Sequence, residues 1–393
     1  GKEAFGSCSS LTSISIPNSV VSMGKSVFAN CTALTSMSIP NSVVSMGEYA
    51  FAGCSGLASV VIGDSVTAIA KYAFKDCKAL TSVVIGNSVT SIDYFAFFGC
   101  TALTSVTIPN SVTAIGESAF RGCNNLNSIV IGDSVITIGK YAFVNCSGLT
   151  SVVMGNSVTY IGPGAFMACS SLTDITISDS VTEIADDAFR DCTALTSVII
   201  PNSVTSIGES VFYGCSALTD VTFKSSVISI GTWAFTKCDS LTSVTFDCNV
   251  IKIAHKSFFS CKSLSTVIFG NDVTDITVAS RATAFSACSG LKDFYCLSEN
   301  VPNTENIFSE LSLSSLVLHV PAVSLEAYST ASYWQRFGQI VAIDEGDGIK
   351  QVTSETFTNP TAYDLSGRRT ANKQKGINLL RNADGRVKKV LRR

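Results

Sequence analysis

The sequence predicts a mainly β solenoid of about thirteen 23-residue repeats, joined by short helical or 3₁₀ turns and closed by a C-terminal cap. Three observations carry that prediction. Cysteine recurs every 23 residues, from Cys8 and Cys31 through to Cys261. A Phe precedes each Cys by three positions and a Leu follows by three, as in Phe28, Cys31, Leu34 and again in Phe143, Cys146, Leu149. The 393 residues are 46% apolar and only 15% charged, with a mean hydropathy of +0.36. Yet no run approaches the roughly 18 apolar residues of a membrane-spanning helix, so the hydrophobicity is spread rung by rung.

Within one repeat, Val106-Thr107-Ile108 alternates as a half-buried strand does. Pro109-Asn110-Ser111 then turns the chain, a task done elsewhere by Gly63-Asp64, Gly86-Asn87 and Pro201-Asn202. A second extended piece covers residues 112–115 and ends at Gly116. Glu117-Ser118-Ala119-Phe120 reads as a single helical or 3₁₀ turn leading back to Cys123. Ordering a residue costs about 1–2 kcal/mol, whereas each inward apolar side chain returns about 1.5–3 kcal/mol. A lone rung therefore falls short, and stability requires neighbours that cover its strand edges.

The repeat L-x-x-V-x-I-P-x-S-V-x-x-I-G-x-x-A-F-x-x-C resembles that of the BspA-like, Treponema-type, leucine-rich-repeat surface proteins of Bacteroidetes bacteria. The resemblance covers residues 4–296 and implies a leucine-rich-repeat solenoid over residues 1–296. The last copy is irregular: four extra residues around Ser280 to Thr283 displace Phe285 and Cys288. By the same resemblance, residues 297–343 form the cap of the solenoid, with Val317-Leu318-His319-Val320-Pro321, Tyr328, Trp334, Phe337 and Ile340 as its apolar elements. Residues 344–362, beginning Asp344-Glu345-Gly346-Asp347-Gly348, read as an acidic linker. Residues 363–393 carry Tyr363-Asp364-Leu365-Ser366-Gly367-Arg368-Arg369 and Lys375-Gly376-Ile377, with Lys388, Lys389, Arg392 and Arg393 at the end. They resemble the C-terminal segment of secreted Bacteroidetes proteins, although Asn378-Leu379 stands where an aromatic is usual. On charge alone this tail also reads as a polyanion-binding patch.

The expected location is extracellular or on the outer cell surface, with any signal peptide already removed because the chain starts inside a repeat. A net charge of −3 gives no pull toward nucleic acid or anionic membrane. The cysteines read as a ladder of buried thiols, since disulfides between equivalent positions would pair the rungs two by two. Cys248, at a turn position, is the one expected to be exposed and reactive. No zinc or other metal site is expected, because no C-x-x-C pair occurs and only His255 and His319 are available. Asn30-Cys31-Thr32 and Asn145-Cys146-Ser147 fit a glycosylation pattern, but their cysteines are ladder positions.

Catalysis finds no foothold in the pattern, and no cofactor is expected. His255 reads as a surface imidazole and His319 as part of the cap strand. Asp64, Asp133 and Asp179 occupy turn positions where a carboxylate caps local amides. Asp174, Asp220 and Asp293 point outward from the main strands without a partner acid or base. Candidate binding positions are therefore Asp174 and Asp220 on a Ser-rich, β-branched strand face, and an aromatic column of Tyr49, Tyr72 and Phe95 to which Tyr141 and Trp233 return later. These rings serve either a ligand or the covering of the neighbouring turn. The reading that follows is a non-catalytic, adhesin-like surface protein whose partners are extracellular protein, of a host matrix or another cell, or polysaccharide. A glycan-binding component of a surface polysaccharide system and a passive spacer are the alternatives, and oligomeric state is open.

Overall fold

The computed structural model describes residues 1–343, apart from 225–226, 247–248, 279–282, 305–306 and 309, and four strands between 361 and 392. Cys248, residues 344–360 of the linker and about half of the terminal segment lie outside the described residues, while residues 361–362, read as linker, belong to a strand. Residues 1–343 form one compact unit and 344–393 another.

Within each sheet the first strands pair in parallel, with a 23-residue register from rung to rung as in Ser36↔Ser59 and Ser59↔Ser82, widened to 27 only where Thr266 meets Asp293 among the repeat strands described. The burial alternates along the strand: in Ser36–Ile39, Met37 and Ile39 are buried while Ser36 and Ser38 face solvent. The first strands form separate sheets of three, three and seven strands. Of the second strands, Ser22–Met23 and Ser45–Met46 pair as a sheet of two, and the following eleven join into one sheet, from Ala68–Ile69 to Asn303–Thr304. Residues 173–178 interrupt the first series, for they form no strand although Thr-Asp-Ile-Thr-Ile-Ser alternates as well as any other rung. Nothing local accounts for that break.

The interior is a stack of columns. Phe51 to Phe212 are each fully buried, with successive rings nearly parallel at 5.1–5.4 Å. Each buried Cys of the ladder donates its Sγ–H to the carbonyl of the Phe one rung earlier, as Cys54 does to Phe28 O at 3.0 Å and Cys146 to Phe120 O at 3.1 Å. Burial pushes the Cys54 and Cys192 thiols up to about 12. Asp64 and Asp133 do not cap their own turns. Their carboxylates accept the backbone N–H of Asn87 (2.9 Å) and Asn156 (3.1 Å), one rung further on.

The turn segment is not the single helical or 3₁₀ turn that its sequence suggests. In residues 116–123 alternate amides point two ways. Ala119, Arg121 and Cys123 donate three residues back along their own chain, to Gly116, Ser118 and Phe120. Ser118, Phe120 and Gly122 donate to Lys140, Ala142 and Val144 of the next rung. Every fourth residue adopts left-handed φ, here Ser118 at +53° and Gly122 at +74°. A helix would turn every amide inward along its own chain, whereas this alternation leaves half of them to hold the neighbouring rung. Helical segments occur in the cap instead: 3₁₀ turns at Leu313–Ser315, Ala322–Ser324 and Trp334–Arg336, and one short α-helix at Leu325–Thr330.

The four extra residues of the last copy are divided. Val250 pairs with Asp275, 25 positions on, while Ser243 pairs with Thr266, 23 positions on. Two of the four therefore fall in the turn before Asp275, and only the other two lie near Ser280.

At the C-terminal end of this unit, strands Val317–Val320 and Gln339–Ala342 extend the first-strand sheet in parallel. The stack of parallel Phe rings ends edge-on, with Phe294 T-shaped against Phe285, Phe308 and Phe337. Tyr328 and Trp334 are buried behind it; Tyr328 Oη donates to Ser298 O (2.9 Å) and Trp334 Nε1 to Pro302 O (3.3 Å). The second unit is an antiparallel sheet in the order Arg369–Thr370, Thr361–Tyr363, Gly376–Arg381, Val387–Arg392.

Candidate functional site

Because side chains of the buried columns are committed to the core, the surface chemistry concentrates at the turn edge. The predicted aromatic column stands there, at the left-handed position itself: Tyr49, Tyr72, Phe95, Tyr141 and Trp233 all have φ between +56° and +59°. A bulky side chain in that region costs about 1–2 kcal/mol relative to Gly. Tyr49 and Tyr72 stack at 4.6 Å and Tyr72 and Phe95 at 5.0 Å, so both faces of Tyr72 are covered by its neighbours. Lys25 closes one end, with its Nζ 5.4 Å from the Tyr49 ring and 2.8 Å from Glu48. That hydrogen bond holds Lys25 above, and Glu48 below, its ordinary pKa. Tyr141 lies over Gly164, whose missing side chain leaves room for the ring. Trp233 is 39% exposed, six rungs from Phe95.

Asp174 and Asp220 are exposed on the strand series, a different ladder from the aromatic column, so the candidate residues do not converge on one site. Asp293 is not alone: His319 Nε2 lies 3.0 Å from its Oδ1, and the His319 ring stacks on Tyr295 at 4.1 Å. The parallel pairing of the two strands sets Tyr295 opposite His319. His255 is half-buried, with Nδ1 3.4 Å from Thr283 Oγ1. Phe28, Cys31, Leu34, Phe143, Cys146 and Leu149 all lie in the core. Among the described residues, no three His, Cys, Asp or Glu side chains gather as a metal-ligand set.

A mixed surface escapes reading for columns of one residue type. Three positions after the aromatic column, successive rungs carry Lys75, Phe98 and Arg121. Phe98 is half-buried, tilted 55° against Phe95 at 5.7 Å, with Lys75 Nζ 5.7 Å and Arg121 Cζ 5.9 Å from its ring centre. Lys71 lies 5.3 Å from the ring of Tyr94, which is 51% exposed. Beside this cluster runs a shallow groove floored by Gly99 and Gly122 and walled by Phe98, Arg121, Asn124 and Asn145. The available signal was the pair of glycines, because that column carries Asp76 and Asn145 on the flanking rungs.

The BspA-type leucine-rich-repeat family model, in six copies, matches residues 1–125, 90–219 and 205–336. The chain belongs to the BspA-type leucine-rich-repeat family. Among solved structures, this BspA-type protein is similar to a leucine-rich repeat protein from Bacteroides ovatus, at 28% identity and a TM-score of 0.62, covering 83% of this chain and 88% of that one. It is also similar to a leucine-rich cell surface protein from Faecalibacterium prausnitzii, at 31% identity and a TM-score of 0.41, covering 70% and 83%. No curated protein matches the sequence. Among the described residues of this BspA-type protein, no helix is long and apolar enough to cross a membrane.

Proposed function

We propose that this protein is a non-catalytic, surface-displayed repeat protein that binds an extracellular macromolecule through the turn edge of the rungs carrying Phe74, Phe97, Phe120 and Phe143. The observation that carries this reading is the juxtaposition at Phe98: an incompletely buried ring between Lys75 and Arg121, beside a groove and next to the stacked rings of Tyr72 and Phe95. Rings and guanidinium groups held on a rigid scaffold are the side chains that anchor interfaces, because they bury much area while losing little freedom. The likeness to a protein described as a cell surface protein supports an extracellular location, as does the resemblance of residues 363–393 to a secretion segment.

Immobilised matrix proteins and polysaccharides, probed with the full chain and with a Phe98→Ala, Arg121→Ala double variant, test this. Binding that the variant loses supports the reading. Silence across all probes overturns it and leaves a spacer.

A further inference from the structure

Resting on the reading above, we infer that the groove over Gly99 and Gly122 is a subsite for an anionic polysaccharide lying along the solenoid axis. Arg121 is the only ionic group among its lining residues; Lys75, 5.7 Å from the Phe98 ring centre, pairs with Asp76 (3.7 Å), whose carboxylate stands beside Gly99. Asn124 and Asn145 supply amides on the opposite wall. With its amide group turned to donate to Gly122 O (3.1 Å) and Asn145 O (2.8 Å), Asn124 holds its own oxygen free to accept a hydroxyl.

The backbone argues against a peptide strand as the occupant. Strand addition needs unpaired main-chain groups, and here the donors are already used. Gly99 N–H donates to Arg121 O and Gly122 N–H to Val144 O, both at 2.9 Å, while Phe98, Arg121 and Cys123 donate within their own turns. Recognition must come from a ring edge, a guanidinium and amides, the set that suits hydroxyls and carboxylates of sugars. The repeat distance agrees. Equivalent rings on adjacent rungs stand 4.6–5.4 Å apart, nearer to the length of one sugar ring than to the roughly 3.3 Å per residue of an extended peptide. With Lys75, two rungs away, committed to Asp76, Arg121 is the cation left to meet a sugar acid.

Two substitutions probe the groove without touching the core. A Cβ on Gly122 meets nothing nearer than Gly99 Cα at 4.0 Å, and the same column carries Asn145 at φ +60°, so Gly122→Asn fills the floor with a residue that the fold already accepts there. Arg121→Ala removes the charge. Affinity is measured for three immobilised probes: hyaluronan as an alternating carboxylated polysaccharide, dextran as a neutral one, and poly-glutamate as an acidic peptide. The inference expects hyaluronan to bind more tightly than both others, and each variant to lose about tenfold or more while melting with the wild type. Equal binding of poly-glutamate, or hyaluronan binding indifferent to Gly122→Asn, overturns it as mere charge attraction. Capture of a matrix protein that depends on Phe98 and Arg121, with no response to hyaluronan, overturns the sugar assignment and keeps the binding role. No response to any probe overturns both.

Discussion

Cys146 Sγ donates to the carbonyl oxygen of Phe120 at 3.1 Å, one rung below its own, and the same bond recurs along the stack. The thiol thus does two jobs, filling a small apolar site and satisfying a buried carbonyl at the bend.

That arrangement makes the fold sensitive to alkali. Burial raises Cys54 and Cys192 from an ordinary 9.0 to about 12. Above pH 9 the unfolded chain loses thiol protons that the folded one keeps, so the folded state binds more protons and stability falls as pH rises from about 9 toward 12. Each such thiol contributes up to about 1.4 kcal/mol per pH unit. Melting temperature should hold level from pH 6 to 8 and drop steeply above 9, with a shallower drop in Cys192→Ala. Equal slopes in the two proteins would contradict this assignment.

Phe143→Ala should cost about 3–5 kcal/mol in chemical denaturation, because the ring is fully buried and stacked at 5.2 Å on both Phe120 and Phe166. The rigid rungs above and below leave little room for collapse. A loss under about 1 kcal/mol would mean that the column relaxes far more than close packing allows.

Gly164→Ala places a Cβ 2.5 Å from the Tyr141 ring and at φ +57°. The expected loss is about 1–3 kcal/mol, of which only the backbone part, about 1 kcal/mol, persists when Tyr141→Ala is made as well. A double-mutant cycle measures this, and strict additivity would show that the ring does not rest on the glycine.

The rung at 173–178, which forms no strand, should exchange its amides early. Thr176 and Ile177 are expected to exchange at least about tenfold faster than Ile199 and Ile200, which lie in the ladder with Thr222 and Phe223. Hydrogen exchange read by mass spectrometry on the two peptides decides it; equal protection would mean that the sheet is continuous there.

Much of this architecture was legible in the residues. Phe, Cys and Leu at fixed phase identify the inward columns because only stacked equivalent rungs require one residue type at one spacing. The turn edge was less legible. A four-residue segment ending in Phe120 reads as a helical turn, and only the neighbouring rung shows where Ser118, Phe120 and Gly122 send their amides. The Phe98 cluster was hidden for a related reason: Lys75, Phe98 and Arg121 share no residue type, so no repeat marks them.

The sequence by itself determined the number of rungs, their register and the identity of the core, since each follows from a pattern that every copy repeats. The tertiary structure alone decided the alternating bonds of the turn, the gap at 173–178, the two-and-two division of the inserted residues, and the pairing of Asp293 with His319. Each depends on which atoms of different rungs come within hydrogen-bonding distance, and a one-dimensional repeat does not encode that contact.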